Sequence, residues 1–255
     1  MTVHIHQSES DLASAVSDIV EQTIRSSPDA KLGLATGSTI EPIYRELVSR
    51  YRMAGQKPDG LSFANVSAYL LDEYIGLDPS SPETYRNVIR SGFIQHIDLP
   101  DSSVHSPEGD SIDPTEQAAA YDAAVTQAHI DLQLLGIGRN GHIAFNEPGS
   151  SLASRTRMVN LANTTRADNA RFFASPDDVP RQAITQGIAT ILSAQQIILI
   201  AIGQHKADAV AQAIEGPVTS SLPASALQTH PRVTYVLDTA AASKLTLSGV
   251  DREVC

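Results

Sequence analysis

Gln195 to Gly216 reads QQIILIAIGQHKADAVAQAIEG. An unbroken apolar run of strand length meets a glycine turn, and an alanine-rich helical pattern follows. A strand without polar alternation is one buried on both faces, as in the middle of a parallel sheet. Such a strand running straight into a helix is half of a crossover unit.

The same alternation extends outward in both directions. RVTYVLD (Arg232–Asp238) predicts the next strand. On the other side, IDLQLLGIG (Ile130–Gly138) predicts a strand after an amphipathic helix over Pro114–Ala128. Further back, FANVSAYLLDE predicts a strand, followed by a helix around SPETYRNVIRSGF that Ser81 and Pro82 start. KLGLATG (Lys31–Gly37) predicts a strand ending in a glycine turn. STIEPIYRELVSRY follows as a helix with Ser38 or Thr39 as N-cap and Pro42 in its first turn. Leu12, Ala15, Val16, Ile19, Val20 and Ile24 recur at helical spacing after Ser8 and Ser10. Strands alternating with helices of this length predict an α/β fold: one domain over residues 1–255, with a mostly parallel, open, Rossmann-like sheet covered by helices on both faces. The stretch between Gly138 and Gln195 is too long for an ordinary crossover. It carries Arg155, Arg157, Arg166, Arg171 and Arg181 among short helical pieces, so residues 150–190 are expected to form a lid-like, substrate-binding insertion, the alternative being an extra helical layer with solvated arginines.

Composition narrows the function classes. The chain has 255 residues, 42% hydrophobic and 18% charged, in the ordinary globular range. No apolar run approaches the roughly 18–20 residues of a membrane span, and the N-terminal sequence lacks a signal-peptide pattern. A single cysteine, Cys255, precludes a disulfide within the chain and fits a reducing, cytoplasmic setting. The net charge of −11 argues against nucleic acid and anionic membranes as partners.

Gly136-Ile137-Gly138-Arg139-Asn140-Gly141 satisfies G-x-G-x-x-G, the pattern of a dinucleotide-binding turn. Two further requirements fail. Pro148 cuts off the long helix that should follow, and MVNLAN stands where the ribose-binding acid should be. The glycines belong instead to a loop that also carries His142 and Glu147.

Four groups of polar residues fall at predicted strand ends, where a parallel sheet binds its ligands. Gly37, Ser38 and Thr39 open a helix and offer amides to an anion, or form a plain capped turn. Asp72 and Glu73 end an apolar strand, where one of them could serve as a base. Asn140, His142 and Glu147 share one glycine-rich loop, in which a carboxylate can fix the tautomer of the histidine and keep it basic. Lys206 stands at the start of a helix, placed to meet a phosphate or simply solvent. No metal-ligand spacing and no nucleophilic serine or cysteine arrangement accompanies them.

The segments LGLATGST, LLDEYIGL, ETYRNVI, LLGIGRNGHIAFNEPGSSLASRTR, TTRADNARFF, VPRQAITQGI and GQHKADAV closely resemble the glucosamine-6-phosphate deaminase family. The likeness spans roughly residues 30–240. The pairing of LDEY with GHIAFNEP is that of the deaminases; the related 6-phosphogluconolactonases share the sheet but continue differently after the histidine. The resemblance implies isomerising deamination of glucosamine 6-phosphate to fructose 6-phosphate and ammonia, with no cofactor and no metal. It implies that Asp72 moves a proton from C2 towards C1. His142 would open the sugar ring, with Glu147 orienting and charging it. Gly37, Ser38, Thr39, Arg171 and Lys206 would hold the phosphate. The expected partner is thus a small amino-sugar phosphate, and the resemblance leaves a homo-oligomer open. A lactonase and a non-catalytic sugar-phosphate sensor are the alternatives on the same fold.

Two departures stand out. Some members of the family carry aspartate where this chain has Asn140, so Glu147 is expected to be the main charge partner of His142. Allosteric members bind an N-acetylated sugar phosphate through positions matching Ser150 and Arg157, a lysine and a C-terminal aromatic. The lysine position is Val159 here and the sequence stops at Cys255, so reduced or absent allostery is expected.

Overall fold

The structure, a computed structural model, describes residues 1–54, 60–246 and 251–254; Cys255 lies outside them. Strand β1 (Thr2–His6) leads into α1 (Glu9–Ser26), whose N-cap Ser8 accepts the Asp11 amide as the sequence predicts. Then come β2 (Lys31–Leu34) and α2 (Glu41–Ala54). The expected strand through LLDE is broken at Leu71 into β3 (Ser67–Leu70) and β4 (Asp72–Tyr74). Helix α3 (Tyr85–Gly92) starts later than expected, with Thr84 as its cap. Strand β5 (Val104–His105) and α4 (Pro114–Ala128) follow, the helix over the predicted bounds because Asp113 caps it and Pro114 occupies its first turn. Strand β6 (Leu132–Gly136) precedes the long segment. That segment adds two strands, β7 (Arg157–Asn160) and β8 (Gln182–Thr185), to the short helical pieces expected there, of which α5 (Asn163–Asn169) is one. The chain closes through α6 (Ile188–Ile191), β9 (Gln196–Ala201), α7 (Ala207–Glu215), β10 (Val233–Asp238) and β11 (Asp251–Val254).

Among the described residues, eight strands form one sheet in the order β11-β1-β10-β9-β6-β2-β3-β5. Every pairing in it is parallel. In β9, Ile197 through Ala201 are all buried. Successive residues of a strand point to opposite faces, so the sheet is covered on both sides there, as the opening apolar run requires. The main core wraps this sheet.

A second sheet, β4-β8-β7, is antiparallel. The break at Leu71 hands the chain from one sheet to the other: Leu34 carbonyl accepts the Leu71 amide, and Leu71 carbonyl accepts the Gln186 amide. A small apolar cluster of Tyr74, Phe145, Leu161 and Ala183 backs the second sheet. Asp72 therefore opens a strand of the second sheet instead of ending one of the first.

Candidate active site

The strand order fixes where a ligand can enter. From β2 the chain winds outward through β3 and β5, and from β6 it winds the other way through β9 and β10. Strands β2 and β6 are neighbours, and their following loops part at the carboxyl edge, which opens a crevice at this reversal. A cleft of about 430 Å³ lies there. Of the residues expected to act, Gly37, Ser38, Thr39, Asp72, His142, Arg171 and Lys206 line it. Asn140 and Glu147 sit behind His142, while Ser150 and Arg157 lie away from the cleft wall.

Asp72 and Glu73 are both buried, yet they have different surroundings. Glu73 Oε1 accepts the amides of Tyr74 and Tyr85 at 2.9 Å each, and Oε2 accepts the Arg86 amide at 3.0 Å. Its carboxylate thus closes the N-terminal turn of α3. Burial raises its pKa even against these three amides. Among the described residues nothing donates a hydrogen bond to the Asp72 carboxylate, which lines the cleft. Burial, then the Glu73 charge, pushes its pKa well above the usual carboxylate range. A carboxylate with free oxygens and a raised pKa is suited to take a proton from carbon. Of the two acids left open by the sequence, only Asp72 has that freedom.

His142 faces the cleft with a carboxylate behind it. Its Nδ1 lies 3.5 Å from Glu147 Oε1, an ion-pair distance slightly longer than a hydrogen bond. Glu147 Oε2 accepts Asn140 Nδ2 at 2.7 Å, and Asn140 Oδ1 accepts the His142 amide at 3.2 Å. The side chain of Asn140 therefore holds Glu147 and the loop backbone, not the imidazole ring. The Thr165 hydroxyl donates to Glu147 Oε1. Burial works to raise the Glu147 pKa, but His142, Thr165 and Asn140 together outweigh it and hold it at about 2. Glu147 is thus the anionic neighbour of His142, in the position the missing aspartate would otherwise share.

The glycine pattern serves this packing. A Cβ on Gly138 would fall 2.4 Å from the His142 ring, so the backbone there comes close to the histidine. Gly141 has φ +81°, and a Cβ would strike the Leu222 side chain at 2.3 Å.

The cleft also carries cations. Helix α2 begins only at Glu41, so Ser38 and Thr39 occupy the turn before it instead of its first turn. Among the described residues, neither their amides nor their hydroxyls donate to a protein acceptor. Lys206 and Arg171 line the same cleft. Burial, with Arg139 and Arg171 nearby, lowers the Lys206 pKa, opposed by Asp168. Three cations with one partial counter-charge make a site that gains by accepting an anion.

Sequence reading missed Thr165, Asp168 and Asn169. All three project from α5 at the 0, 3, 4 spacing of one helix face. Thr165 meets Glu147, Asp168 pairs with Arg139 at 2.9 Å, and Asn169 Nδ2 donates to the Tyr74 hydroxyl at 2.9 Å. That spacing of polar residues was visible, but its partners were not. Arg157 Nη1 donates to Asn146 Oδ1 at 2.8 Å and its Nη2 to Ser150 Oγ at 3.4 Å, joining the two residues matched to an allosteric site.

The family model for glucosamine-6-phosphate isomerases and 6-phosphogluconolactonases matches residues 6–236. The chain belongs to this family. Within it, a glucosamine-6-phosphate deaminase of Rhodococcus jostii is 51% identical over 249 residues, 97% of this chain and 94% of that protein. One of Mycolicibacterium smegmatis is 50% identical over 244 residues, 95% of this chain and 92% of its own. The solved structure of a monomeric glucosamine-6-phosphate deaminase matches with a TM-score of 0.91 at 43% identity, covering 96% of this chain and 100% of that one. A 6-phosphogluconolactonase from Trypanosoma cruzi, at 20% identity and a TM-score of 0.74 over 96% and 97% of the two chains, shares the fold.

Proposed function

We infer that this protein converts D-glucosamine 6-phosphate to D-fructose 6-phosphate and ammonia, an aldose–ketose isomerising deamination in amino-sugar catabolism. The observation that carries the reading is one cleft lined by both an acid/base set and a group of anion-binding side chains. Close identity to deaminases along nearly the whole chain supports it.

The phosphate anchors at Ser38, Thr39, Arg171 and Lys206, with Gly37 shaping the turn. Anchoring there lays the sugar between His142 and Asp72. His142, oriented by Glu147, exchanges the proton of the ring oxygen and opens the pyranose. Asp72 then takes the C2 proton and returns it to C1, which leaves a ketimine at C2; water adds to that carbon, and the resulting carbinolamine collapses to the ketone with release of ammonia. Each step needs proton transfers near neutrality, which carboxylates and an imidazole supply. The insertion over residues 150–190 covers the site within a single domain. A phosphorylated sugar does not cross a bilayer unaided, so the reading places the enzyme in the cytoplasm.

Incubation with glucosamine 6-phosphate and, separately, with 6-phosphogluconolactone tests it. Release of fructose 6-phosphate and ammonia from the first, with no acceleration of lactone hydrolysis, is expected. Lactone hydrolysis without ammonia release, or binding without turnover, would overturn it.

A further inference from the structure

We propose that Thr165 is a positioning residue for ring opening, acting through Glu147 on His142. The proposal rests on the deaminase reading above. Glu147 has two carboxylate oxygens, and each has its own clamp. Oε2 is held by Asn140 from within the same loop. Oε1, the oxygen that faces His142 Nδ1, is held by the Thr165 hydroxyl from α5, a different part of the chain. Thr165 is buried, so its hydroxyl faces little competition from water.

A carboxylate with one oxygen fixed can still swing about that bond, whereas two clamps define the plane it presents to the imidazole. The loop alone supplies only the first clamp. The second comes from the insertion, on the helix face whose other two polar side chains, Asp168 and Asn169, tie α5 to Arg139 and Tyr74. The geometry of the histidine relay is therefore complete only while α5 is docked. Asp72 makes no hydrogen bond to α5 among the described residues, so Thr165 bears on ring opening and leaves proton abstraction to Asp72.

This separation gives a test that a merely structural role would not pass. Thr165→Val keeps the shape and removes the donor; Thr165→Ser keeps the donor. With glucosamine 6-phosphate, Thr165→Val is expected to lower kcat roughly tenfold, with KM changed less than about twofold, and Thr165→Ser to restore most of the rate. With substrate deuterated at C2, the isotope effect on kcat in Thr165→Val is expected at or below that of wild type, because the slowed step precedes C2–H cleavage. If Thr165→Val does not fold, Thr165→Ala carries the same measurements. An unchanged kcat, a loss that serine does not restore, a loss confined to KM, or an isotope effect above wild type would each overturn the proposal. Wild type that releases no ammonia refutes the deaminase reading instead.

Discussion

The side-chain amide of Asn140 donates a 2.7 Å hydrogen bond to Glu147 Oε2. Its influence on the histidine therefore passes through a carboxylate whose pKa the site holds at about 2. The folded value is below the ordinary 4.5, so the stabilisation from ionised Glu147 is complete above about pH 4.5 and is lost as pH falls towards 2. Asn140→Asp would set a second carboxylate against the first, and two such groups at hydrogen-bond distance do not both ionise freely. The variant is expected to be less stable than wild type at about pH 6, and the deficit to shrink as pH falls and one of the two carboxylates takes a proton. Urea unfolding from about pH 6 down to about pH 3 measures this; superimposable curves would contradict it.

Asp72 is buried with no hydrogen-bond donor among the described residues, and its folded pKa lies above the ordinary value. The sign is opposite to that of Glu147: the ionised form costs stability, and the cost grows as pH rises through the folded pKa. Asp72→Asn should therefore raise the melting temperature at neutral pH by roughly 3 °C while lowering kcat/KM at least about a hundredfold. Differential scanning calorimetry beside a steady-state assay checks both. A less stable variant would show that the carboxylate is better compensated than the geometry allows.

Glu73, one residue on, should behave as a structural group. Glu73→Ala leaves two amides at the start of α3, and that of Tyr74 in β4, without their acceptor and should destabilise the protein by about 2 kcal/mol. Chemical denaturation reads the loss. A change below about 0.5 kcal/mol would mean that water replaces the carboxylate at no cost.

At the phosphate end, Lys206 shares its surroundings with Arg139 and Arg171. Lys206→Met should raise KM for the sugar phosphate about tenfold or more and weaken competitive inhibition by inorganic phosphate in parallel. The same variant should be no less stable without ligand, because it removes a partly desolvated charge. Inhibition constants and melting curves measure the two effects. A loss of kcat at unchanged KM would place Lys206 in the chemistry instead.

Much of this arrangement was legible in the sequence, for identifiable reasons. Strands β6, β9 and β10 are unbroken apolar runs, and α4 carries both its cap and its first-turn proline. The break between Leu70 and Asp72 was not legible, because SAYLLDEY is continuous strand-forming sequence and only the distant partner β8 draws Asp72–Tyr74 away. Strands β7 and β8 were hidden for the same reason: they are four residues each, and β7 alternates between half-buried and exposed positions. Asp72 and His142 stood out because polar residues at predicted strand ends are conspicuous, and both line the cleft. Thr165 was not, since a threonine in a polar helix announces nothing until the carboxylate it meets is known.

The residues matched to an allosteric site lead to a prediction of simple kinetics. Arg157 is engaged with Asn146 and Ser150 inside the chain, and Val159 packs against the small apolar cluster instead of offering a cation. Substrate saturation should be hyperbolic and unchanged by N-acetylglucosamine 6-phosphate. Sigmoidal curves made hyperbolic by that compound would contradict this.

The central claim is isomerising deamination with Asp72 as the base. Its most direct test is the stoichiometry of ammonia and fructose 6-phosphate formed from glucosamine 6-phosphate, measured on wild type and on Asp72→Asn. Equal amounts of the two products from wild type, and neither at a comparable rate from the variant, are predicted. Unequal amounts, or a variant as fast as wild type, would contradict the account.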